Sequence, residues 1–163
     1  MFPQNRYFSL DSDKSGTLFV RCANEVIVVP LTANMHITFI TEPSAAFETD
    51  MLLLPCGSLT LGEDHADTAN RELQEEIGKR AERLDYLGEI LPWSKYLSVR
   101  SFVYLARDLV DSKLEGDEDY DIGQIPVPIE DVESLIARGS LRDARIIAAI
   151  NLARSYLSAE SHN

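Results

Sequence analysis

The spacing of hydrophobic and polar residues changes along the chain and predicts strands first and helices later. Val and Ile dominate the first 41 residues in short runs bounded by turn-forming residues, which is typical of strands. Two hairpins are expected there, one around the turn 11–16 and one around the short polar link 32–34. The predicted strands are 7–10, 17–22, 25–31 and 35–41.

The first helical pattern lies in the middle of the chain, over residues 64–78. Its apolar residues recur every three or four positions, and Gly78 is a favourable residue for ending a helix. This periodicity predicts one amphipathic helix, whose apolar face consists of Ala66, Ala69, Leu73 and Ile77.

After this helix the pattern returns to strands and ends in helices. The stretch 107–123 is too charged to be buried, so we expect a mobile acidic loop there. The last helix is expected to open with Ser140-Leu-Arg-Asp143, which resembles a capping box. This order of elements predicts an α+β fold with a mixed sheet. The remaining predicted elements are strands at 84–91 and 99–106 and a short helix at 130–138.

Composition excludes several classes of protein. The chain of 163 residues carries 27 Asp+Glu and 15 Lys+Arg, a net charge of −12, which repels nucleic acids and anionic membrane surfaces. No apolar stretch approaches the roughly 20 residues that span a bilayer, and the N-terminus lacks the features of a secretory signal. With Cys22 and Cys56 as its two thiols, a disulfide framework is not expected. We therefore expect a single cytoplasmic domain over 1–163.

Three glutamates in the predicted helix are the strongest sign of chemistry. At about 100° per residue, Glu72, Glu75 and Glu76 share one helical face. Their repulsion, roughly 0.2–0.5 kcal/mol per pair, favours a counter-ion. Oxygen ligands without histidine indicate Mg²⁺ or Mn²⁺ held together with substrate phosphates. Taken alone, however, the three glutamates are better explained as a solvated helix face.

The residues around these glutamates favour the functional interpretation. The segment 57–79, GSLTLGEDHADTANRELQEEIGK, resembles the Nudix box Gx5Ex7REUxEExGU, in which U is an aliphatic residue, at eight of nine fixed positions. Lys79 replaces the last aliphatic residue, and since it is not a ligand position we expect this to affect packing after the helix. The resemblance implies the Nudix α/β/α sandwich with a mixed β-sheet.

The resemblance to the Nudix family also implies a metal site and a reaction. The ligands of Mg²⁺, or of Mn²⁺, would be Glu72 and Glu76, together with Glu75, directly or through water, and the backbone carbonyl of Cys56. The reaction would be hydrolysis of the pyrophosphate bond in a nucleoside diphosphate linked to another moiety. The metal ions would lower the pKa of a bound water whose proton a nearby carboxylate accepts.

The other catalytic roles follow from the same resemblance. The acidic loop after the box supplies the base in ADP-ribose hydrolases, which places Glu118 in that role, with Glu115 and then Glu75 as alternatives. A solvated acidic loop explains the same residues equally well. Arg71 would orient a carboxylate of the helix, and Glu63 would support the metal ligands from behind.

A narrower resemblance bears on the substrate. Leu54-Pro55-Cys56-Gly57 looks like the LPAG segment of ADP-ribose pyrophosphatases and related ADP-sugar hydrolases. Leu53 and Thr41 depart from that subgroup, which has Glu and Arg at these positions. A nucleotide-sugar, ADP-ribose or another ADP-sugar, is the expected substrate, with AMP and a sugar phosphate as products. An oxidised nucleoside triphosphate, a GDP-sugar and a non-catalytic nucleotide-sensing module remain alternatives.

Substrate contacts and assembly are expected from the positions of residues in relatives. Lys95 and Arg100, between two predicted strands, would contact the substrate phosphates, and Gly57 would border the substrate. His65 occupies a variable position of the box, so we expect it on the surface. Because relatives form dimers through N-terminal strands, the β-rich segment 1–41 is expected to support a homodimer. The aromatic residues that could stack on a base, or fill the core or an interface, are Phe47, Trp93 and Tyr96.

Overall fold

The computed structural model describes residues 8–116 and 120–162. These residues form ten strands in three sheets, three α-helices and one 3₁₀ turn. The elements are β1 (Phe8–Ser12), β2 (Leu18–Cys22), β3 (Glu25–Pro30), β4 (His36–Ser44), β5 (Thr49–Leu53), β6 (Cys56–Ser58), α1 (His65–Glu76), β7 (Lys79–Ile90), β8 (Leu97–Ser98), β9 (Ser101–Asp111), β10 (Gly123–Pro128), the 3₁₀ turn Ile129–Asp131, α2 (Val132–Ala137) and α3 (Ala144–Glu160).

The central sheet has the strand order β6-β3-β9-β7, and it is mixed because β3 and β9 run parallel while the other pairs are antiparallel. Val26 to Val29 of β3 are all fully buried. Since successive side chains in a strand point to opposite faces, both faces of this sheet are covered.

The two long helices cover opposite faces of the central sheet. His65 of α1 stacks on Phe102 of β9, whereas Tyr156 of α3 donates a hydrogen bond to Asp85 of β7, 3.2 Å away. Tyr86, next to Asp85, lies against His65, so α1 and α3 meet alternate residues of the same strand. The helix–sheet–helix layering predicted from the sequence is therefore confirmed.

Two three-stranded sheets flank the central one. The predicted first hairpin is confirmed as β1 paired with β2, and β2 also pairs with β8. The predicted second hairpin is wrong, because β3 and β4 belong to different sheets and meet at the single bridge Leu31–Ile37. Strand β3 pairs with β6 on one edge and with β9 on the other. This central position fits its continuous apolar run. Strand β4 instead pairs with β5 and β10.

The acidic stretch 107–123 is shorter as a loop than predicted. Residues 107–111 continue β9, where they pair with the basic start of β7, and Lys79 forms an ion pair with Asp111 at 2.5 Å. The charge of Asp111 is thus matched across the strands. Strand β10 follows the loop as an edge strand, where Pro126 and Pro128 are tolerated because no neighbour needs their missing N–H groups.

The helices begin and end close to the predicted residues. Asp64 caps α1 and Gly78, at φ 68°, follows it in the left-handed conformation that ends many helices. The predicted capping box at 140–143 is wrong in its first residue. Asp143 itself caps α3 by accepting hydrogen bonds from the N–H groups of Arg145 and Ile146, 2.8 and 3.4 Å away. No helix in the described part of the chain is long and apolar enough to cross a membrane.

Candidate active site

Helix α1 presents two buried carboxylates to the short strand β6. Leu73 and Ala69 are fully buried and anchor the helix to the central sheet. On the adjoining side, Glu72 is 5% exposed and Glu76 is 2% exposed. Glutamates are rarely buried to this degree unless they are paired or bind a metal. The sequence pattern thus placed the two predicted ligands on the face that meets β6.

Arg71 gathers three carboxylates around its guanidinium. Its Nη1 lies 2.8 Å from the Glu72 Oε1 atom and 2.8 Å from the Glu75 Oε2 atom. Its Nε donates to Glu63, 3.2 Å away, and its Nη2 donates to the backbone carbonyl of Ser58, 3.3 Å away. One guanidinium carries a single positive charge, so Arg71 can offset only one of these three negative charges.

Gly57 lies directly against Glu72. A Cβ atom on Gly57 would stand 2.0 Å from the Glu72 Oε1 atom, which is far inside van der Waals contact. Glycine at this position therefore lets the backbone of β6 approach the carboxylate. The sequence singled out Gly57 as a residue that borders the substrate, and the structure adds this steric reason for its identity.

Cys56 connects β6 to the second buried carboxylate. Its N–H donates to the Glu76 Oε2 atom, 3.2 Å away. Burial, followed by the negative charges of Glu76 and Glu25, raises the pKa of the Cys56 thiol well above its usual value. The thiol therefore stays protonated and is a poor metal ligand, which leaves the backbone carbonyl as the donor that Cys56 can offer.

The donor chemistry of this site suits a hard divalent cation. Glu72, Glu75, Glu76 and the Cys56 carbonyl offer oxygen atoms, the ligands that Mg²⁺ and Mn²⁺ prefer. Within residues 8–116 and 120–162, however, no three His, Cys, Asp or Glu side chains surround one point that could hold a metal ion. Glu75 in particular is turned toward Arg71. The site thus offers the right atoms without a closed cage.

Glu63 stands behind this cluster. Partial burial raises the pKa of its carboxyl group. Hydrogen bonds from Arg71 and Thr68 and the charge of Arg71 lower this pKa by more, so the net pKa lies below its usual value. Glu63 is therefore ionised at neutral pH and holds the far side of the Arg71 guanidinium.

Of the three candidate bases, the structure describes Glu115 and Glu75. Glu118 lies outside the described residues. Glu115 is exposed in the segment that follows β9. Glu75 faces Arg71, with an ion pair of 2.8 Å. The identity of the base therefore stays a prediction.

The two predicted phosphate contacts lie away from the acidic cluster and already have partners. Arg100 forms two hydrogen bonds with the carboxylate of Glu89, 2.7 and 2.8 Å long, and borders a polar pocket of about 410 Å³. Lys95 is exposed, with its Nζ atom 5.2 Å from the centre of the Tyr96 ring. An incoming phosphate would compete with the Arg100–Glu89 ion pair.

A large, mostly apolar cavity of about 1000 Å³ adjoins the acidic cluster. Phe47 and Trp93, two of the three aromatic residues predicted to stack on a base, both line it. They are 72% and 69% exposed, so their rings are available to a ligand rather than packed in the core. Ser58, whose carbonyl accepts a hydrogen bond from Arg71, also lines the cavity and joins it to the cluster.

A charged network on the wall of this cavity was not predicted from the sequence. Arg145 forms ion pairs with Glu25 at 2.7 Å and with Asp143 at 2.9 Å, and Ser101 donates to Glu25 at 2.5 Å. Arg142, which also lines the cavity, lies 3.9 Å from the sulfur of Met51. Two arginines near the start of α3 in so acidic a chain were the signal that could have indicated this network.

His65 is half-buried and so less exposed than the expected surface residue. Its ring stacks on Phe102 with the centroids 4.7 Å apart, and its Nδ1 atom is hydrogen-bonded to the hydroxyl of Tyr104. Burial, followed by the charge of Asp64, raises the pKa of Tyr104 to about 12, so this hydroxyl stays protonated. His65 therefore anchors the start of α1 to the sheet, and no contact makes it a ligand of the acidic cluster.

Comparison with known proteins identifies the family. The NUDIX domain matches residues 23–150 of this chain. The chain is 30% identical over 135 residues to the ADP compounds hydrolase NudE of Escherichia coli (strain K12), covering 83% of this chain and 72% of that protein. It is 29% identical over 133 residues to an ADP-ribose pyrophosphatase of Bacillus subtilis (strain 168), covering 80% of this chain and 72% of that protein.

A solved structure agrees with the sequence comparisons. The crystal structure of an ADP compounds hydrolase superposes with a TM-score of 0.84 at 27% sequence identity, covering 98% of this chain and 91% of that one. The match spans both the central sheet and its two covering helices, so it includes every element that positions the acidic cluster. Together with the family match over residues 23–150, this shows that the chain belongs to the Nudix hydrolase family.

Proposed function

We propose that this Nudix hydrolase cleaves the pyrophosphate bond of ADP-ribose or another ADP-sugar, giving AMP and a sugar phosphate, in a reaction that depends on Mg²⁺ or Mn²⁺. The observation that carries the proposal is the pair of almost fully buried glutamates, Glu72 and Glu76, held against β6. Burying two carboxylates side by side is costly unless a cation offsets their charge.

Each residue of the cluster has a role in this proposal. Glu72 and Glu76 hold the cation, with Glu75 as a further ligand. Arg71 fixes the orientation of Glu72 and Glu75 through its two ion pairs. Glu63 in turn holds Arg71. Glu63 therefore orients Arg71, and Arg71 orients the carboxylates that reach the metal.

The chemistry requires a cation and a proton acceptor. When bound, the divalent ion neutralises the pyrophosphate oxygens and lowers the pKa of the attacking water. A carboxylate of the chain accepts the proton of that water, and Glu118 is our first candidate, followed by Glu115 and Glu75. The acidic cluster would otherwise repel the substrate, so metal dependence follows from the charge of the site.

The cavity beside the cluster provides a place for the nucleoside. Phe47 and Trp93 offer rings on which an adenine can stack. Ser58 lines the cavity on the side of the acidic cluster, so a ligand stacked there directs its phosphates toward Glu72. The names of the related proteins, an ADP compounds hydrolase and an ADP-ribose pyrophosphatase, support adenine as the base.

The test is a substrate panel with the purified protein. ADP-ribose, a second ADP-sugar, a GDP-sugar and an oxidised nucleoside triphosphate are each incubated with Mg²⁺, with Mn²⁺ and with a chelator, and the products are separated by chromatography. We expect AMP from the ADP-sugars, and no product with the chelator. AMP rather than ADP shows that the bond between the two phosphates is the one that breaks.

The same panel includes the outcomes that contradict the proposal. Preferential turnover of the GDP-sugar or the oxidised triphosphate assigns a different Nudix substrate. Full activity in the chelator contradicts the metal site. Binding of ADP-ribose without turnover under any condition indicates a sensing module rather than an enzyme.

A further inference from the structure

The end of α1 combines two unfavourable charge arrangements. The carbonyl groups of the last helical turn form the negative end of the helix dipole, and Glu75 and Glu76 add carboxylates to the same turn. The last turn contains no basic residue. The three carbonyls of Gln74, Glu75 and Glu76 therefore need donors from elsewhere if the turn is to stay ordered.

Those donors come from the residues that follow β9 and from the start of β10. The N–H of Leu114 donates to the Gln74 carbonyl, 3.1 Å away. The Nζ atom of Lys113 donates to the Glu75 carbonyl. The side-chain amide of Gln124 donates to the Glu76 carbonyl, 3.3 Å away. Three consecutive carbonyls thus each have a donor, and two of the donors are side chains.

Lys113 and Gln124 approach the helix end from the two ends of the connecting segment. Lys113 follows β9, whereas Gln124 lies in β10. Lys113 also lies over Gly78, because a Cβ atom on that glycine would be 3.4 Å from the Lys113 Cδ atom. Both side chains line a pocket of about 400 Å³ together with Glu75 and Glu76. They therefore hold the backbone that carries the carboxylates.

We propose that Lys113 and Gln124 are positioning residues, which fix the last turn of α1 and with it the side chains of Glu75 and Glu76. Lys113 supplies a positive charge at the negative end of the helix, and Gln124 supplies a neutral donor one residue further along. The inference rests on the proposed function, since it assigns the two residues to the hydrolytic reaction.

The first test is the Lys113→Met variant, which keeps the length of the side chain and removes its charge and donor. Even small displacements of catalytic groups slow a reaction, so we expect kcat on ADP-ribose to fall about tenfold while KM is unchanged. The Lys113→Arg variant, which keeps both the charge and a donor, is expected to recover most of the wild-type kcat. The Gln124→Met variant is expected to show the same pattern to a smaller extent.

Lys79→Met is the matched control. Lys79 lies at the start of β7, where its side chain is paired with Asp111 at 2.5 Å. Its substitution removes the same charge from the same end of the sheet, so it corrects for the change in net charge. We expect its kcat to match that of the wild-type protein.

Hydrogen–deuterium exchange supplies a readout that does not depend on turnover. The amides of the last turn of α1 should exchange faster in Lys113→Met than in either the wild-type protein or Lys79→Met. If wild-type protein hydrolyses no ADP compound, the proposed function fails, and exchange still decides whether Lys113 orders the turn. Equal kcat losses in Lys113→Met and Lys79→Met, failure of Lys113→Arg to recover activity, or unchanged exchange would overturn the inference.

Discussion

Two clusters of charged side chains lie on opposite faces of the central sheet, and they differ in the ratio of carboxylates to guanidinium groups. On the α3 face, Asp85 and Glu160 each contact both Arg83 and Arg107, at distances between 2.5 and 3.1 Å. Two carboxylates there meet two guanidinium groups. On the α1 face, the single guanidinium of Arg71 contacts three carboxylates, and Glu76 of the same helix lies against β6.

The balanced cluster behaves as a structural ion-pair network. The hydrogen bonds from Arg107 are the main cause that lowers the pKa of Glu160 to about 2. Partial burial raises the pKa of Asp85, but the two arginines lower it by more, so its net pKa lies below the usual value. Folding satisfies every charge in this network. In the α1 cluster one guanidinium meets three carboxylates, an arrangement that favours a cation from solution.

The largest effect is expected from Glu76→Gln, which neutralises one carboxylate of the unbalanced cluster. Substitution of outer residues around a metal typically costs about 10–100-fold in activity, so loss of a ligand should lower kcat by more than about 100-fold. The free energy of unfolding without metal should be unchanged or rise by about 0.2–0.5 kcal/mol, because a like-charge pair is removed. Steady-state kinetics and chemical denaturation measure the two quantities.

The control for Glu76→Gln is Glu82→Gln, which neutralises an exposed carboxylate of β7. Its kcat and its stability should both match the wild-type values. Near-normal turnover by Glu76→Gln would contradict the assignment of Glu76 as a ligand, and a large loss of stability would show that its charge serves the fold instead.

A smaller effect on activity is expected from Gly57→Ala. The new methyl group would lie 2.0 Å from the Glu72 Oε1 atom, so Glu72 must move away from its position beside β6. We expect kcat to fall about 10–100-fold, as for other displacements of a ligand's surroundings. Activity assays at saturating Mg²⁺ measure the loss.

Gly139→Ala is the comparison for this substitution. Gly139 has φ 73° and no atom within 4 Å of an added Cβ, so alanine there strains the backbone without touching the site. It should reduce stability by about 1 kcal/mol and leave kcat unchanged. Equal kcat values for Gly57→Ala and the wild-type protein would contradict the role of close approach at Gly57.

Local features of the fold were predictable from the sequence, whereas strand partners were not. The periodicity of 64–78 and the residues Asp64 and Gly78 gave the limits of α1 because caps act within a few residues. The hairpin of β3 with β4 was wrong because pairing depends on strands β6 and β9, which come later in the chain. Strand β10 was missed because Pro126 and Pro128 disfavour strands except at an edge.

The candidate site shows the same division. The spacing of the box identified Arg71, Glu72 and Glu76, which the structure brings together with β6. Lys113 was missed because its contact with α1 spans 38 residues of sequence. His65 is more buried than expected because its aromatic partner Phe102 lies on β9, far along the chain. Residues whose partners are distant in sequence carry no local pattern, so the tertiary structure is needed to find them.

The smallest effect on activity is expected from Arg107→Met in the cluster on the α3 face. This substitution should lower stability instead. Arg107 is 18% exposed and contacts both Asp85 and Glu160. Near-surface ion pairs contribute up to about 1 kcal/mol, so the free energy of unfolding at pH 7 should fall by about that amount. The value of kcat should stay at the wild-type level, because the cluster lies on the face of the sheet opposite α1.

The loss of stability in Arg107→Met should depend on pH, which further distinguishes this cluster from the one on the α1 face. The folded-state pKa of Glu160 is lowered from its ordinary value of 4.5 to about 2, so its contribution to stability is full above pH 4.5 and is lost as the pH falls toward 2. The stability difference between wild-type protein and Arg107→Met should therefore be largest near neutral pH and shrink through this range. Denaturation at a series of pH values measures it. A difference that stays constant with pH, or a fall in kcat at neutral pH, would show that the balanced cluster does not act through its ion pairs alone.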